Sequence, residues 1–382
     1  MLWPFAPFDQ FTEGLEFFTD VMRAFSEEQR VRLIATPHRR FEHTYRMTAR
    51  EYERARLSMR GVHPGSFDVP DWSDFRTCEA ESGDTVLVFD NTSPELTSTM
   101  DIVIWQDSDT YETLDILSSS STGLTLNIAL TNDYPRGRVM RVLDCESPSG
   151  LAASKPVGSI REAQVEWVCY DDDLLTEDTS DFGTYRSEYL LDDCPQVGGD
   201  ALPESVQRMF EMVDNMIARP FIDSSREQAS EVFGLAWQPE SRALAWSLRR
   251  KLYALRGRQK AFWMPSYNNG LELAMTATAG AGSVTIRDVN LGVGYSDGAT
   301  DIYMLLRSGV TIARQVTAIT PGSGTEVLTL SGTMPVTVTQ DDIMMFCTLG
   351  RMRLAQDRIE WLHRPAVGPK VVVAAEEAPV PA

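Results

Sequence analysis

The stretch RRFEHTYRMTAREYERARLSMRG, Arg39 to Gly61, contains a change of periodicity that sets the plan of the chain. Up to Met47, apolar and polar residues alternate, which is typical of a half-buried strand. His43 lies alone on the apolar face of this strand, and we interpret it as a packed residue rather than a ligand. Thr48 and Glu51 then have the spacing of a capping box, so a short helix is predicted to begin here and to end at the final glycine.

A related region follows almost two hundred residues later. RALAWSL (Arg242 to Leu248) has the pattern of a strand, and RRKLYAL, residues 249–255, predicts a helix that ends at a glycine. REAQVEW (Arg161 to Trp167) also returns as AQDRIEW (Ala355 to Trp361). Matches in the same order at a nearly constant distance predict an internal repeat. The paired landmarks are Gly61 with Gly257, Pro70 with Pro265, and Trp167 with Trp361.

The rest of each copy consists of short apolar runs broken by Asn, Gly, Ser and Pro. We therefore predict a mainly β protein with short helices, a β-rich α+β fold made of two tandem homologous modules. Each module would be a strand and a helix followed by a small antiparallel β-barrel or sandwich. The predicted division is an N-terminal arm (1–20), a first module (21–170), an acidic linker with a short helix (171–224), a second module (225–363) and a C-terminal arm (364–382).

Two of these segments are defined by composition. The linker opens with DDDLLTED, and its later part, PESVQRMFEMVDNMIARP (Pro203 to Pro220), is predicted to form the short helix. YDDDLLTED lacks the Gly and the final Glu of an EF-hand loop, so we predict no calcium site there. The C-terminal segment RPAVGPKVVVAAEEAPVPA is rich in Pro and Ala, and this composition predicts an arm rather than a core element.

Composition excludes several classes of protein. The net charge of −20 argues against a general nucleic-acid binder. No run of 18 apolar residues and no positively charged leader occurs, which predicts a protein made in a cytoplasm and not inserted in a membrane. Five cysteines without a CxxC motif indicate neither a disulfide framework nor a zinc site. We predict no metal and no cofactor.

The basic residues concentrate around the two predicted helices. Ten Arg and five Glu lie between Arg23 and Arg60, and seven basic residues with no acidic one lie between Arg242 and Lys260. Such patches could dock on the acidic remainder of another copy, or they could be solvated helix faces. The candidate assembly residues are Arg30, Arg39, Arg40, Arg249, Arg250 and Lys251.

Motifs of enzymes are missing from the sequence. There is no HExxH and no GxSxG, and only four His occur. Glu166 and Glu360 could be imagined as a carboxylate pair for glycoside hydrolysis, but they should point away from the core and belong to separate modules. We therefore expect a protein that is not an enzyme.

Three aromatic residues near the paired prolines admit two interpretations. Trp72, Trp263 and Tyr267 could anchor loops by burying one ring each, or they could form a patch that stacks on sugar or docks a partner. We favour the anchored loop, because a binding patch needs a contiguous exposed surface.

Four short blocks near the start of the chain are distinctive: Trp3 to Pro7, Thr19 to Val21, Glu28 to Arg30 and Pro37 to Arg40. In this order they resemble structural proteins of the tail tip of long-tailed bacteriophages. AFWMPSYNNGLELA and the closing DRIEW are similar to later blocks of the same proteins. The resemblance is clearest over about the first fifty residues and does not separate distal tail, hub and minor tail proteins.

The resemblance implies a virion protein, assembled in the host cytoplasm, that lies between the tail tube and the receptor-binding parts. Its partners would be other copies of itself, the tube protein, the baseplate hub and the tail fibres. Two modules in one chain suit a trimer that presents six similar units to a six-fold tube, whereas a hexamer would leave the second module for fibre or sugar contact. A carbohydrate-binding β-protein is the alternative, and a glycan-cleaving enzyme is a weaker one.

Overall fold

The computed structural model describes residues 1–24, 27–62, 65–154, 160–169, 182–195, 203–207, 210–213, 216, 221–224, 229–294, 301–364 and 368–379. These residues form 28 strands, two helices of more than one turn and two shorter helical segments. The predicted β-rich α+β fold is confirmed.

The first half, residues 1–169, contains fourteen strands and one helix. They are β1 (Phe11–Glu16), β2 (Thr19–Ala24), β3 (Glu27–Arg32), β4 (His38–Met47), α1 (Ala49–Gly61), β5 (Phe67–Pro70), β6 (Arg76–Ala80), β7 (Val86–Val88), β8 (Ile102–Trp105), β9 (Tyr111–Leu114), β10 (Ile116–Ser120), β11 (Gly123–Leu126), β12 (Tyr134–Glu146), β13 (Ala152–Ser154) and β14 (Arg161–Cys169).

The second half, residues 182–379, contains the other fourteen strands. Its elements are β15 (Gly183–Tyr185), β16 (Glu188–Leu190), β17 (Glu204–Gln207), β18 (Phe210–Val213), β19 (Phe221–Ser224), β20 (Ser230–Trp237), α2 (Arg242–Leu255), β21 (Ala261–Pro265), β22 (Ser283–Arg287), α3 (Leu291–Gly294), β23 (Asp301–Leu306), β24 (Thr311–Pro321), β25 (Thr325–Leu330), a 3₁₀ turn (Gln340–Asp342), β26 (Ile343–Leu354), β27 (Arg358–Arg364) and β28 (Gly368–Glu377).

Eight of these strands form one continuous antiparallel sheet, which we call the spine sheet. Its order is β13, β14, β4, β1, β27, β28, β20 and β17. The first four strands belong to the first half and the last four to the second half. The pairing of β1 with β27 therefore joins the two halves through backbone hydrogen bonds rather than through a linker.

The local sequence explains the start of each half. In β4 the predicted face is buried, with Phe41, Tyr45 and Met47 almost inaccessible, because alternate side chains of a strand share one face. The capping box of α1 is present, since the Thr48 side chain accepts from the Glu51 backbone and the Glu51 carboxylate accepts from the Thr48 backbone. The helix packs on the buried face of the sheet through Ala55.

Each half has a core under its helix and a core in its inserted β-structure, and the second half has a further one around Trp263 and Tyr303. One core lies between the spine sheet and the helix, around Trp3, Tyr45 and Trp167 in the first half and around Phe262 and Trp361 in the second. The other core fills a small β-structure inserted between β5 and β12, or between β21 and β26. The helix and the inserted β-structure thus recur in both halves.

The strand pairings recur as well. β4 pairs with β14 as β20 pairs with β28, β5 pairs with β12 as β21 pairs with β26, and β8 pairs with both β12 and β9 as β23 pairs with both β26 and β24. The hairpin β2–β3 between β1 and β4 has its counterpart in the hairpin β18–β19 between β17 and β20. This shared connectivity is what a tandem repeat would give, and the duplication itself stays a prediction, since unrelated domains can share connectivity.

The prolines occupy matching positions, but the tryptophans do not. Pro70 ends β5 opposite Val142 of β12, and Pro265 ends β21 opposite Leu349 of β26. Trp167 lies on β14, whereas Trp361 lies on β27, whose counterpart by pairing is the short strand β13. The sequence match that paired the two tryptophans is therefore wrong as an alignment of the folds.

The paired glycines also differ in their backbone. Gly61 is the last residue of α1, and the helix is capped by the next residue. Gly257 follows the left-handed Arg256 and itself has φ +59°, and a Cβ atom there would lie 2.5 Å from the Asp357 carboxylate. Only the second glycine is therefore required by its conformation.

Several boundaries predicted from the sequence need correction. The predicted N-terminal arm contributes β1 to the middle of the spine sheet, and most of the predicted C-terminal arm is β28, whose Val371 and Ala375 are fully buried. Pro203 to Pro220 was predicted helical, but its described parts are β17 and β18. Arg242 to Leu248 is helix rather than strand, because Ser241 caps α2 and the helix runs through both predicted segments. The acidic run 171–181 lies outside the described residues.

Candidate assembly surface

The junction between the halves is organised around one buried carboxylate. Glu13 on β1 is fully buried and accepts from Arg39 Nε at 2.6 Å, from Arg249 Nη1 at 2.8 Å and from His363 Nε2 at 2.7 Å. These partners come from β4, α2 and β27. Burial alone would raise the pKa of Glu13, but the charges of Arg249 and Arg39 outweigh it and hold that pKa well below its ordinary value.

This cluster corrects the prediction for two of the candidate assembly residues. Arg39 is 2% exposed and also pairs with Asp71 at 2.9 Å, and Arg249 is 8% exposed. Arg249 therefore binds the second half to the first through Glu13, whereas Arg39 binds Glu13 and Asp71 within the first half, and neither guanidinium is exposed to a second copy. Both guanidinium groups bind the Glu13 carboxylate, which the sequence did not indicate as their partner.

The other candidate arginines and the lysine are also engaged within the chain. Lys251 is buried and binds Asp193 at 2.6 Å, and Arg40 binds Glu16 at 2.7 Å and Glu166 at 2.6 Å. Arg30 lies beside Glu28 at 3.4 Å, and Arg250 is half-buried on α2. None of the six predicted residues is a fully exposed basic side chain.

The polar face of the spine sheet carries a chain of ion pairs across the junction. Arg40 joins β4 to β1 and β14, and Arg358 Nη2 on β27 binds Glu42 at 3.1 Å while its Nε binds Glu360 at 2.8 Å. The prediction that Glu166 and Glu360 point away from the core is confirmed. Both carboxylates belong to this network.

The same geometry separates the two carboxylates that were weighed as a catalytic pair. Glu166 lies on β14 and Glu360 on β27, with β4 and β1 between them. Three strand spacings of about 4.8 Å place their backbones roughly 14 Å apart. The carboxyl groups of a glycosidase pair lie about 5–9.5 Å apart across one cleft, whereas here Glu166 is bound to Arg40 and Glu360 to Arg358 in the ion-pair network.

Aromatic side chains are mainly buried. Trp72 is 5% exposed and Trp263 is 2% exposed, and the Tyr267 hydroxyl donates to the backbone oxygens of Leu191 and Asp193. These positions agree with the anchored-loop interpretation. Of the eight Trp in the chain, seven are buried, which leaves only the half-buried Trp246 as a large indole surface for stacking on a sugar.

The hairpin β2–β3 makes a second contact between the halves. The Glu28 carboxylate on β3 lies 2.8 Å from Arg353 Nε on β26, and both side chains are buried. The Thr19 backbone N–H donates to Asp357 at 2.9 Å, and Arg258 donates to the Thr19 carbonyl at 2.7 Å. The sequence predicted neither contact, because the partners lie more than two hundred residues apart in the chain.

A cavity of about 260 Å³ lies where α2 of the second half meets the first half. Its lining includes Arg39, Asp71, Arg242, Trp246 and His363. Arg242 donates to carbonyl oxygens in the first half, so this space is bounded by side chains that hold the halves together. The described residues contain no cluster of three or more His, Cys, Asp or Glu placed to hold a metal ion.

The two ends of the spine sheet are exposed. All four residues of β17 and all three of β13 are solvent-exposed, and within the described part of the chain each strand pairs on one side only. Open strand edges present unpaired backbone N–H and C=O groups, which another strand can use. The sequence did not indicate these edges, since β17 was predicted helical and β13 has only three residues.

A disulfide links the first-half strands β12 and β14. Cys145 and Cys169 lie directly opposite each other, with Cα atoms 4.3 Å apart, and they form a bond. Sequence spacing could not show it, because the pair is created by strand register. Cys78 and Cys347 are buried free thiols, and Cys194 is an exposed one.

No protein-family model matches this chain, and comparison with curated proteins finds no relative. None of the described helices is long and apolar enough to cross a membrane.

Proposed function

We propose that this chain is a structural protein of the virion, located at the tail tip of a long-tailed bacteriophage. Copies form a ring, either a trimer with pseudo-six-fold symmetry or a hexamer. The ring joins the tail tube to the baseplate hub and the receptor-binding parts, and it is assembled in the host cytoplasm. The resemblance of Trp3 to Arg40 to tail-tip proteins is the sequence support for this role.

One structural observation carries the ring. The two halves of the chain repeat the same strand pairings, and they are joined edge to edge, with β1 of one half against β27 of the other. A unit that joins its neighbour through different edges makes a head-to-tail contact, and such contacts close into rings when the rotation allows it. Three chains would then supply six similar units to a six-fold tube.

The alternatives have less support. A carbohydrate-binding protein needs exposed aromatic faces, but the candidate rings of Trp72 and Trp263 are buried. A glycan-cleaving enzyme needs two carboxylates in one cleft, but Glu166 and Glu360 lie on strands with two others between them, and each is bound to an arginine. An assembly role uses what the described structure does offer, which is a continuous sheet with two open edges.

The location is tested on virions purified from the phage that carries this gene. Antibodies against the purified chain should label the tail tip in immunoelectron microscopy, and the chain should remain in the virion through density-gradient purification. Labelling of the capsid or of the fibre ends, or loss of the chain from purified particles, would overturn the proposed location.

A further inference from the structure

We propose that two copies of this chain join by pairing β17 of one copy antiparallel with β13 of the next. The inference rests on the proposed ring and names its interface. Inside the chain, β1 pairs with β27. β17 corresponds to β1, because each pairs with the strand that precedes the helix of its half. β13 corresponds to β27, because β13 pairs with β14 and β27 pairs with β28, the equivalent strand of the other half. Among the residues that the structure describes, each copy thus carries one unpaired edge of each kind.

The occupant of these edges is another copy because the chain already shows that the two kinds of edge fit. The residues of β17 and β13 are exposed, so neither edge has to be uncovered before pairing. Addition of a strand to an open edge gives main-chain hydrogen bonds without any change of fold. A second copy is the proposed partner because the β1–β27 pairing inside the chain already joins edges of these two kinds.

The register of the proposed pairing follows from the register inside the chain. Pro70 of β5 and Pro265 of β21 are equivalent positions. Starting from them, the residues that lie opposite each other in successive strand pairs give the equivalent positions of the two halves, strand by strand, across the spine sheet. Glu204 then occupies the position of Glu13, and Ala153 occupies the position of Trp361. Since Glu13 lies opposite Trp361, Glu204 lies opposite Ala153 of the next copy, and Ser205 lies opposite Ala152.

Charge at the proposed interface repeats the buried ion pair of the junction. Arg249 stands eight residues after Ser241, the N-cap of α2, and Arg56 stands eight residues after Thr48, the N-cap of α1. Glu204 of one copy therefore approaches Arg56 of the next as Glu13 approaches Arg249. In the single chain both side chains are exposed, and Arg56 binds the exposed Glu53 on its own helix.

A closed ring would be a barrel of spine sheets. Each copy contributes eight strands, so three copies contribute twenty-four. With strands about 4.8 Å apart and tilted by about 40°, such a barrel measures roughly 45–50 Å between opposite backbones. A barrel of this size has an open channel rather than a packed interior.

Cysteine cross-linking tests the register. In a Cys194→Ser background, Ser205→Cys is combined with Ala152→Cys, and the purified full chain is oxidised mildly. The expected result is a ladder of covalent species that ends at the number of copies in the ring. The matched control combines Ser205→Cys with Ser154→Cys, on the same face but two residues out of register, where Cβ atoms about 7–8 Å apart are too distant for a disulfide.

Charge exchange tests the ion pair. Glu204→Arg alone and Arg56→Glu alone should each raise the concentration needed for assembly at least tenfold, measured by sedimentation velocity. The two changes in one chain should restore it to within about threefold, which a general loss of folding would not allow. Glu53→Arg, a neighbouring change that leaves Arg56 in place, is the control for surface charge and should have a smaller effect than Arg56→Glu.

The outcomes separate this interface from the proposed function. Rings that assemble without cross-linking Ser205→Cys to Ala152→Cys, or without any effect of the charge changes, would overturn the β17–β13 interface and leave the ring. A chain that stays monomeric at every concentration, with no cross-linked ladder, would overturn the interface and remove the structural support for the ring.

Discussion

Arg249 of α2 and Glu13 of β1 form a buried ion pair across the two halves of the chain, with Nη1 and Oε1 2.8 Å apart. Arg39 and His363 complete the contacts of the same carboxylate. Two buried guanidinium groups therefore share the Glu13 carboxylate, and Asp71 is a second partner of Arg39 only, so Glu13 is the group whose removal should matter most at the junction.

We expect Glu13→Gln to lower the free energy of unfolding by about 3–5 kcal/mol, because it removes the carboxylate that binds the buried Arg249 and one of the two that bind the buried Arg39. Urea denaturation followed by tryptophan fluorescence measures the loss. Glu360→Gln is the matched control, since that carboxylate is more than half exposed and its loss should change stability by less than about 1 kcal/mol. Equal effects of the two variants would contradict the central position of Glu13.

His43 should make stability depend on pH. Burial, opposed in part by Asp71, lowers the pKa of His43 from its ordinary 6.5 to about 3. The unfolded chain therefore binds a proton below pH 6.5 that the folded chain does not, so stability is lost as the pH falls from 6.5 toward 3. The expected slope is about 1.4 kcal/mol per pH unit.

The measurement is the free energy of unfolding at pH 6.5 and pH 5.0 for the wild type and for His43→Gln. The wild type should lose about 2 kcal/mol more than the variant over this interval, which lies above the range where most carboxylates titrate. Parallel pH profiles for the two proteins would show that His43 takes up its proton while folded.

The disulfide should stabilise the first half. Its loop of 24 residues suggests a contribution of about 2–4 kcal/mol. Reduction of the wild type should lower the free energy of unfolding by that amount, whereas the same reductant should have no effect on the variant with both Cys145→Ala and Cys169→Ala. A thiol count of three in the unfolded, unreduced protein checks that the bond has formed, and a count of five would show that it has not.

The C-terminal strand should be required for folding. β28 pairs with β20 on one side and β27 on the other, and it contributes Val371 and Ala375 to the core. A chain that ends at residue 364 should therefore lack cooperative unfolding by circular dichroism. A chain that lacks only residues 380–382 is the control and should unfold as the wild type does. A cooperative transition in the shorter chain would mean that this segment is an arm after all.

Sequence reasoning succeeded where the pattern was local. The alternation in β4, the capping box of α1 and the short strands of the inserted β-structures can each be recognised within about ten consecutive residues. It failed where partners decide the outcome. β28 is rich in Val and Ala, and its sequence alone does not show that it pairs with β20 and β27. β17 has only four residues, too few to show a strand pattern.

The site residues show the same division. The sequence marked Arg39 and Arg249 as important because they lie in basic runs, but it assigned them to contacts between copies. Their partner Glu13 lies 236 residues from Arg249 in the chain, so no local pattern connects the two. The repeated tryptophans misled for a related reason, since Trp167 and Trp361 lie on strands with different places in the sheet.

The native mass of the purified chain over a range of concentrations, by light scattering coupled to size exclusion, tests the central claim most directly. The account predicts a closed assembly of three copies, or six, with a mass that is the corresponding multiple of 42.7 kDa and does not grow further with concentration. A strict monomer at the highest concentration, or open-ended growth without a defined stoichiometry, would contradict the ring.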